Sequence, residues 1–278
     1  MTRYIFRHKI KVRGCRSAVA PKIFFRREKM YIVILTAIGV GGATVIGALI
    51  GFLFKNLSTK SSNMIISFAA GIMLSAAVTG LILPAIDYGG KFGVPIAILG
   101  ILFGAMCINL SDKLVPHIGR LVSDGKINEN SGHMHGVLLF VIAIGIHNLP
   151  EGIAAGVGFG SGDTSGALLI ASGIALHNIP EGMVLIAPML AAGISRKKTF
   201  VIAMITGLSE VIGTLLGYFA VSFASAILPF ALAFAGGTML YVISEEMIPE
   251  THAAHSGAGV TYAFLCGFCS MLLLNTVF

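Results

Sequence analysis

His147-Asn148-Leu149-Pro150-Glu151-Gly152 returns thirty residues later as His177-Asn178-Ile179-Pro180-Glu181-Gly182, with only Leu exchanged for Ile. Each copy lies near the middle of a long apolar segment, where imidazole, amide and carboxylate groups are costly to place. Two such sets in one order point to use rather than accident. The rest of the chain reads as the frame that brings the two hexapeptides together.

That frame is a membrane protein. Of 278 residues, 56% are hydrophobic and 11% charged, 35 are glycine, and the mean hydropathy is +0.91. Abundant glycine in apolar segments is typical of close-packed membrane helices. The formal charge of +7 is local: residues 1–29 hold ten of the nineteen Lys and Arg against one acid, Glu28. The other 249 residues carry nine bases and eleven acids, so no folded basic module for nucleic acid is expected. Residues 1–29 read as a disordered leader or an extension from an upstream start, because Met30 stands at the edge of the first apolar run. Cys266 and Cys269 share one helical face by their spacing, and no disulfide framework is expected.

Residues 30–278 are expected to fold as one all-α integral membrane domain with eight spans: about 31–54, 62–87, 92–112, 134–159, 165–191, 199–224, 227–248 and 258–278. A span in lipid must satisfy its backbone groups internally, which selects helix. The longest break, 113–133, reads as a polar cytoplasmic loop. The loops after spans one, three and five hold Lys55, Lys60, Lys113, Arg120, Lys126, Arg196, Lys197 and Lys198, against Lys91 alone on the other side. This bias places both termini outside a plasma or inner membrane.

On a helix, His147 and Glu151 are four apart and project from one face. Pro150 and Pro180 lack an N–H for the carbonyls of Ile146 and Leu176, which predicts kinks in spans four and five. Gly152 and Gly182 allow another backbone to approach. A short turn, Gly160-Ser161-Gly162-Asp163, makes the two spans antiparallel neighbours, so the hexapeptides fall at one depth. Glu210 in span six is a third mid-span carboxylate. Mixed imidazole, carboxylate and amide groups fit a divalent transition metal, zinc first, with Fe2+, Mn2+ or Cd2+ as alternatives.

The paired motifs on the fourth and fifth of eight spans resemble the ZIP family of divalent-metal transporters, most closely its GufA-type or zinc-uptake-permease-like branch. The resemblance covers about residues 30–278. It implies a binuclear mid-membrane site. His147, Glu151, His177, Asn178, Glu181 and Met73 would line one position. Asn148, Glu151, Asn178, Glu181 and Glu210 would line the other, with Glu151 and Glu181 bridging. It also implies that spans one, four, five and six move against spans two, three, seven and eight. His117, His133 and His135, and the group Glu245, Glu246, Glu250 and His252, read as metal-collecting or exit groups or as hydrated chain. Asp87 reads as an entry group.

The expected activity is transport of divalent metal toward the cytosol, not catalysis. A metalloprotease would need His-Glu-x-x-His, and a di-metal oxidase Glu-x-x-His. The alternative is a membrane metal sensor that binds without transport. The expected partners are metal ions and the lipid bilayer, with a homodimer as the oligomer to test.

Overall fold

The computed structural model describes residues 27–53, 58–122, 148–159, 162–191, 193–223, 225–252 and 257–276. Among them all regular structure is helical. The helices are α1 (Arg27–Leu53), α2 (Thr59–Ser75), α3 (Leu83–Tyr88), α4 (Gly93–Val122), α5 (148–159) and α6 (Thr164–Ala191). They are followed by α7 (Arg196–Phe223), α8 (Leu228–Val242), α9 (Ile248–His252) and α10 (Ala258–Leu274).

Six described segments are long and apolar enough to cross a membrane: Met30–Leu53, Thr59–Tyr88, Gly90–Ser111, Thr164–Ala187, Arg196–Ser222 and Leu228–His252. α10 is a shorter apolar helix of 17 residues. The expected fourth span is described only over its second half, as α5. The leader up to residue 26 lies outside the described residues, and α1 takes in the leader's last three residues, Arg27, Glu28 and Lys29.

The apolar part of α4 ends at Ser111, beside the expected end of the third span, and the helix runs on into the stretch expected as a loop at 113–133. α4 continues to Val122, and the sequence explains it: Leu114, Val115, Ile118, Leu121 and Val122 keep helical spacing. Asp112, Lys113 and His117 made this stretch read as polar and hid that pattern.

Two expected spans are single helical runs with a π segment inside. α2 passes through Ala76–Ile82 into α3, and α8 passes through Ile243–Met247 into α9. Each π segment ends two residues before a proline, Pro84 and Pro249. A proline cannot donate to the carbonyl four residues back, and a widened turn absorbs the lost bond. α6, by contrast, stays α-helical from Thr164 to Ala191 across Pro180. Among the described residues the π segments therefore fall in the second and seventh expected spans, and α6 has none at Pro180.

Among the described helices other than α5, the most extensive packing is of α1 on α6, α4 on α8, α2 on α10 and α1 on α7. Glycine makes several of these contacts backbone to backbone. A Cβ on Gly41 of α1 would lie 2.2 Å from the Gly207 carbonyl of α7, and one on Gly207 2.4 Å from the Gly41 carbonyl. Likewise Gly71 of α2 sits on the Phe264 carbonyl of α10, and Gly104 of α4 on that of Phe234 of α8. Outward, α1, α4 and α7 carry exposed Ile, Leu and Phe, as lipid-facing helices do.

Candidate metal centre

Each hexapeptide reaches its place by a glycine contact. A Cβ on Gly152 of α5 would lie 2.2 Å from the Glu210 carbonyl of α7. A Cβ on Gly182 of α6 would lie 2.1 Å from the Thr44 carbonyl of α1. No side chain fits in either gap, so the motif glycine sets how deeply each helix seats on its neighbour. At the start of α6, Gly162 holds φ +81°, a left-handed turn conformation suited to glycine.

Glu151 from α5 and His177 and Glu181 from α6 meet in the interior. His177 Nε2 lies 3.0 Å from Glu151 Oε2 and 3.9 Å from Glu181 Oε2. One ligand atom from each of the three falls within 4.8 Å of the others, the only such group of His, Cys, Asp and Glu among the described residues. His177 is 1% exposed and Glu151 4%. All three line a cavity of about 100 Å³, together with Met73 of α2. The cavity continues past Val242 to Glu246, Met247 and Glu250 on the π segment of α8 and on α9.

A second polar cluster involves the other predicted groups. The Glu210 carboxylate is fully buried. Its Oε1 accepts from Asn148 Nδ2 at 2.6 Å and from Thr44 Oγ1 at 2.5 Å. Its Oε2 accepts from Asn178 Nδ2, which also donates to the Val40 carbonyl at 3.3 Å. The amide oxygens of Asn148 and Asn178 are buried and have no partner among the described residues. A buried carbonyl oxygen without a donor is costly and is a natural ligand for a cation.

The structure thus gathers Met73, Glu151, His177 and Glu181 around one cavity. It turns Asn148 and Asn178 toward Glu210. His147, like His133 and His135, lies outside the described residues, and His117 falls within α4. Of the group at the end of the seventh span, Glu246 and Glu250 line the cavity, Glu245 is exposed, and His252 Nδ1 lies 2.9 Å from the Ile248 carbonyl.

Thr44 was missed by sequence reasoning, although a signal was there. Gly41-Gly-Ala-Thr-Val-Ile-Gly-Ala-Leu-Ile-Gly51 matches Gly207-Leu-Ser-Glu-Val-Ile-Gly-Thr-Leu-Leu-Gly217 at six of eleven positions. The match places Thr44 where the second copy has Glu210. It went unseen because its identities are Gly, Val, Ile and Leu, the common stock of membrane helices, while its one chemical position differs.

Buried imidazole, carboxylate and thioether groups among apolar helices define a helical membrane protein with an internal centre of metal-ligand type. The family model described as ZIP Zinc transporter matches residues 123–275. The chain is 36% identical over 241 residues to "Zinc transporter GufA" of Myxococcus xanthus, covering 84% of this chain and 94% of that protein. It is 34% identical over 252 residues to "Zinc transporter ZupT" of Chlorobaculum parvum, with the same coverages. It is 31% identical over 314 residues to "Zinc transporter ZIP11" of Xenopus tropicalis, covering 84% and 93%. The chain belongs to the ZIP zinc transporter family.

Proposed function

We propose that this chain carries divalent metal ions, zinc first, across a cell membrane toward the cytosol. The observation that carries the reading is the meeting of Glu151, His177 and Glu181 at a cavity shared with Met73. One imidazole, two carboxylates and one thioether suit a borderline divalent ion, and Zn2+ leads Fe2+, Mn2+ and Cd2+ for such a set. The ion exchanges its water for these groups in a low-dielectric interior, and the two carboxylates offset its charge. Release follows the cavity past Glu246 and Glu250, whose oxygens accept the ion as it regains water.

A second ion position beside Glu210 fits the unpartnered amide oxygens of Asn148 and Asn178. Eight crossings with outside termini fit the Lys and Arg bias of the short loops. Movement of one helix group against another fits the packing. α1, α5, α6 and α7 are joined through glycine-to-carbonyl contacts, as are α2 with α10 and α4 with α8. Between the groups, Gly80 of the first π segment meets the Ile170 side chain of α6, and Gly173 of α6 meets Met271 and Ala76 side chains. Side-chain surfaces slide more readily than interlocked backbones.

The test is uptake of radioactive zinc into proteoliposomes. Wild-type protein moves zinc above the empty-vesicle rate, and Glu151→Ala and Glu181→Ala, purified as monodisperse protein, do not. Full flux in both variants overturns the site assignment, and no flux in the wild type overturns transport.

A further inference from the structure

We propose that Thr44 is a positioning residue of the metal centre, holding the Glu210 carboxylate through its hydroxyl. The inference rests on the reading that Glu210 belongs to the cation-binding centre. Thr44 is 1% exposed, and its Oγ1 donates to Glu210 Oε1 at 2.5 Å.

The internal repeat puts the two residues in matching places. Gly47 and Gly51, three and seven residues after Thr44, press on the carbonyls of Ile179 and Met183 in α6. Gly213 and Gly217, three and seven after Glu210, press on those of Leu149 and Ile153 in α5. Leu149 and Ile179 are the same position of the two hexapeptides, and Ile153 and Met183 the same position beyond them. Gly182 seats on Thr44 as Gly152 seats on Glu210. The contact of Gly41 with Gly207 is reciprocal, as expected where two equivalent helices cross. α1 therefore serves α6 as α7 serves α5, with a hydroxyl in place of a carboxylate.

That difference fixes a role for Thr44. Glu210 has three donors, one each from α1, α5 and α6. Asn148 and Asn178 each carry an acceptor beside the donor they give to Glu210, so a cation there draws on their oxygens and can turn both amides toward itself. Thr44 donates from α1 to the same oxygen as Asn148, so it holds that oxygen whichever way the amides turn. A carboxylate without it must reorient in a dry interior and binds less well.

The experiment is equilibrium binding of radioactive zinc to the purified full chain in detergent, with vesicle flux measured in parallel. Thr44→Val keeps the shape and removes the donor; Thr44→Ser keeps the donor and removes the methyl. Thr44→Val weakens a zinc-binding phase roughly tenfold, the scale of one hydrogen bond to a charged group, and Thr44→Ser stays within about twofold of wild type. Thr44→Ala repeats the loss and stands in if the Val variant does not fold. Packing alone gives the opposite order, with Val intact and Ser weakened, and overturns the proposal. Binding unchanged in Val and Ala overturns it as well. Wild type that binds zinc without flux removes the transport reading and leaves this comparison standing; wild type that binds no zinc removes both.

Discussion

Asn178 and Asn148 hold the same carboxylate, and their positions differ in one respect. Glu210 Oε1 has two donors, Thr44 and Asn148, whereas Oε2 has Asn178 as its one donor among the described residues. Asn178 also reaches the Val40 carbonyl of α1, so one amide ties α6 to both α7 and α1. A hydrogen bond to a buried charge is worth about 1.5–3 kcal/mol, and a buried acceptor stripped of its donor loses most of that. Asn178→Ala is therefore expected to destabilise the metal-free protein by about 2 kcal/mol, and Asn148→Ala by roughly half as much, since Thr44 remains on its oxygen. Thermal melting of the two variants in detergent decides it; equal losses would mean that the donor count does not set the energy. Adding zinc should stabilise the wild type more than either variant, because each variant has lost one amide oxygen of the proposed second position.

At the level of the helix, the final glycine of each hexapeptide matters as much as the ligands before it. Gly152→Ala and Gly182→Ala each drive a methyl into a backbone carbonyl, at 2.2 and 2.1 Å. A backbone cannot give way as a flexible side chain does, so the helices must separate along their whole contact. Both variants are expected to lose about 3 kcal/mol or more, or to fail to yield folded protein. Gly39→Ala is the control: a Cβ there meets nothing within 4 Å, and in α1 the change should be neutral or slightly stabilising. Yield and melting temperature of the three, prepared side by side, test the contact directly.

The same elements indicate how much the sequence disclosed. The hexapeptides stood out because they repeat almost verbatim in costly residues, and they led to Glu151, His177 and Glu181. The π segments had only Pro84 and Pro249 as a trace, and a proline in a membrane helix does not say whether the turn widens or bends. The continuation of α4 past Ser111 was masked by three polar residues, Asp112, Lys113 and His117. The hydrogen bonds of Glu210 depend on helix rotation at the level of single atoms, which no spacing rule fixes.

For the whole molecule, the issue is whether the helices move as two bodies. Gly80 and Ile170 lie on opposite sides of the proposed sliding surface, and a Cβ built on Gly80 is 3.9 Å from that of Ile170. Gly158 of α5 and Ala167 of α6 belong to one group, with the corresponding distance 3.5 Å. Both lie in or at the edge of the range of about 3.5–4.5 Å that a disulfide spans. In a background with the four native cysteines replaced by serine, Gly80→Cys with Ile170→Cys should cross-link on mild oxidation. Zinc flux should then fall at least tenfold and return with reductant, because the bond pins one body to the other. Gly158→Cys with Ala167→Cys should cross-link as well and leave flux within about twofold, since its two ends already travel together; the single-cysteine variants fix the baseline for each pair. Flux that survives the first cross-link would mean that metal passes through one fixed arrangement of the helices. Flux lost equally in both would place the moving surface between α5 and α6, inside the group that the glycine contacts hold together.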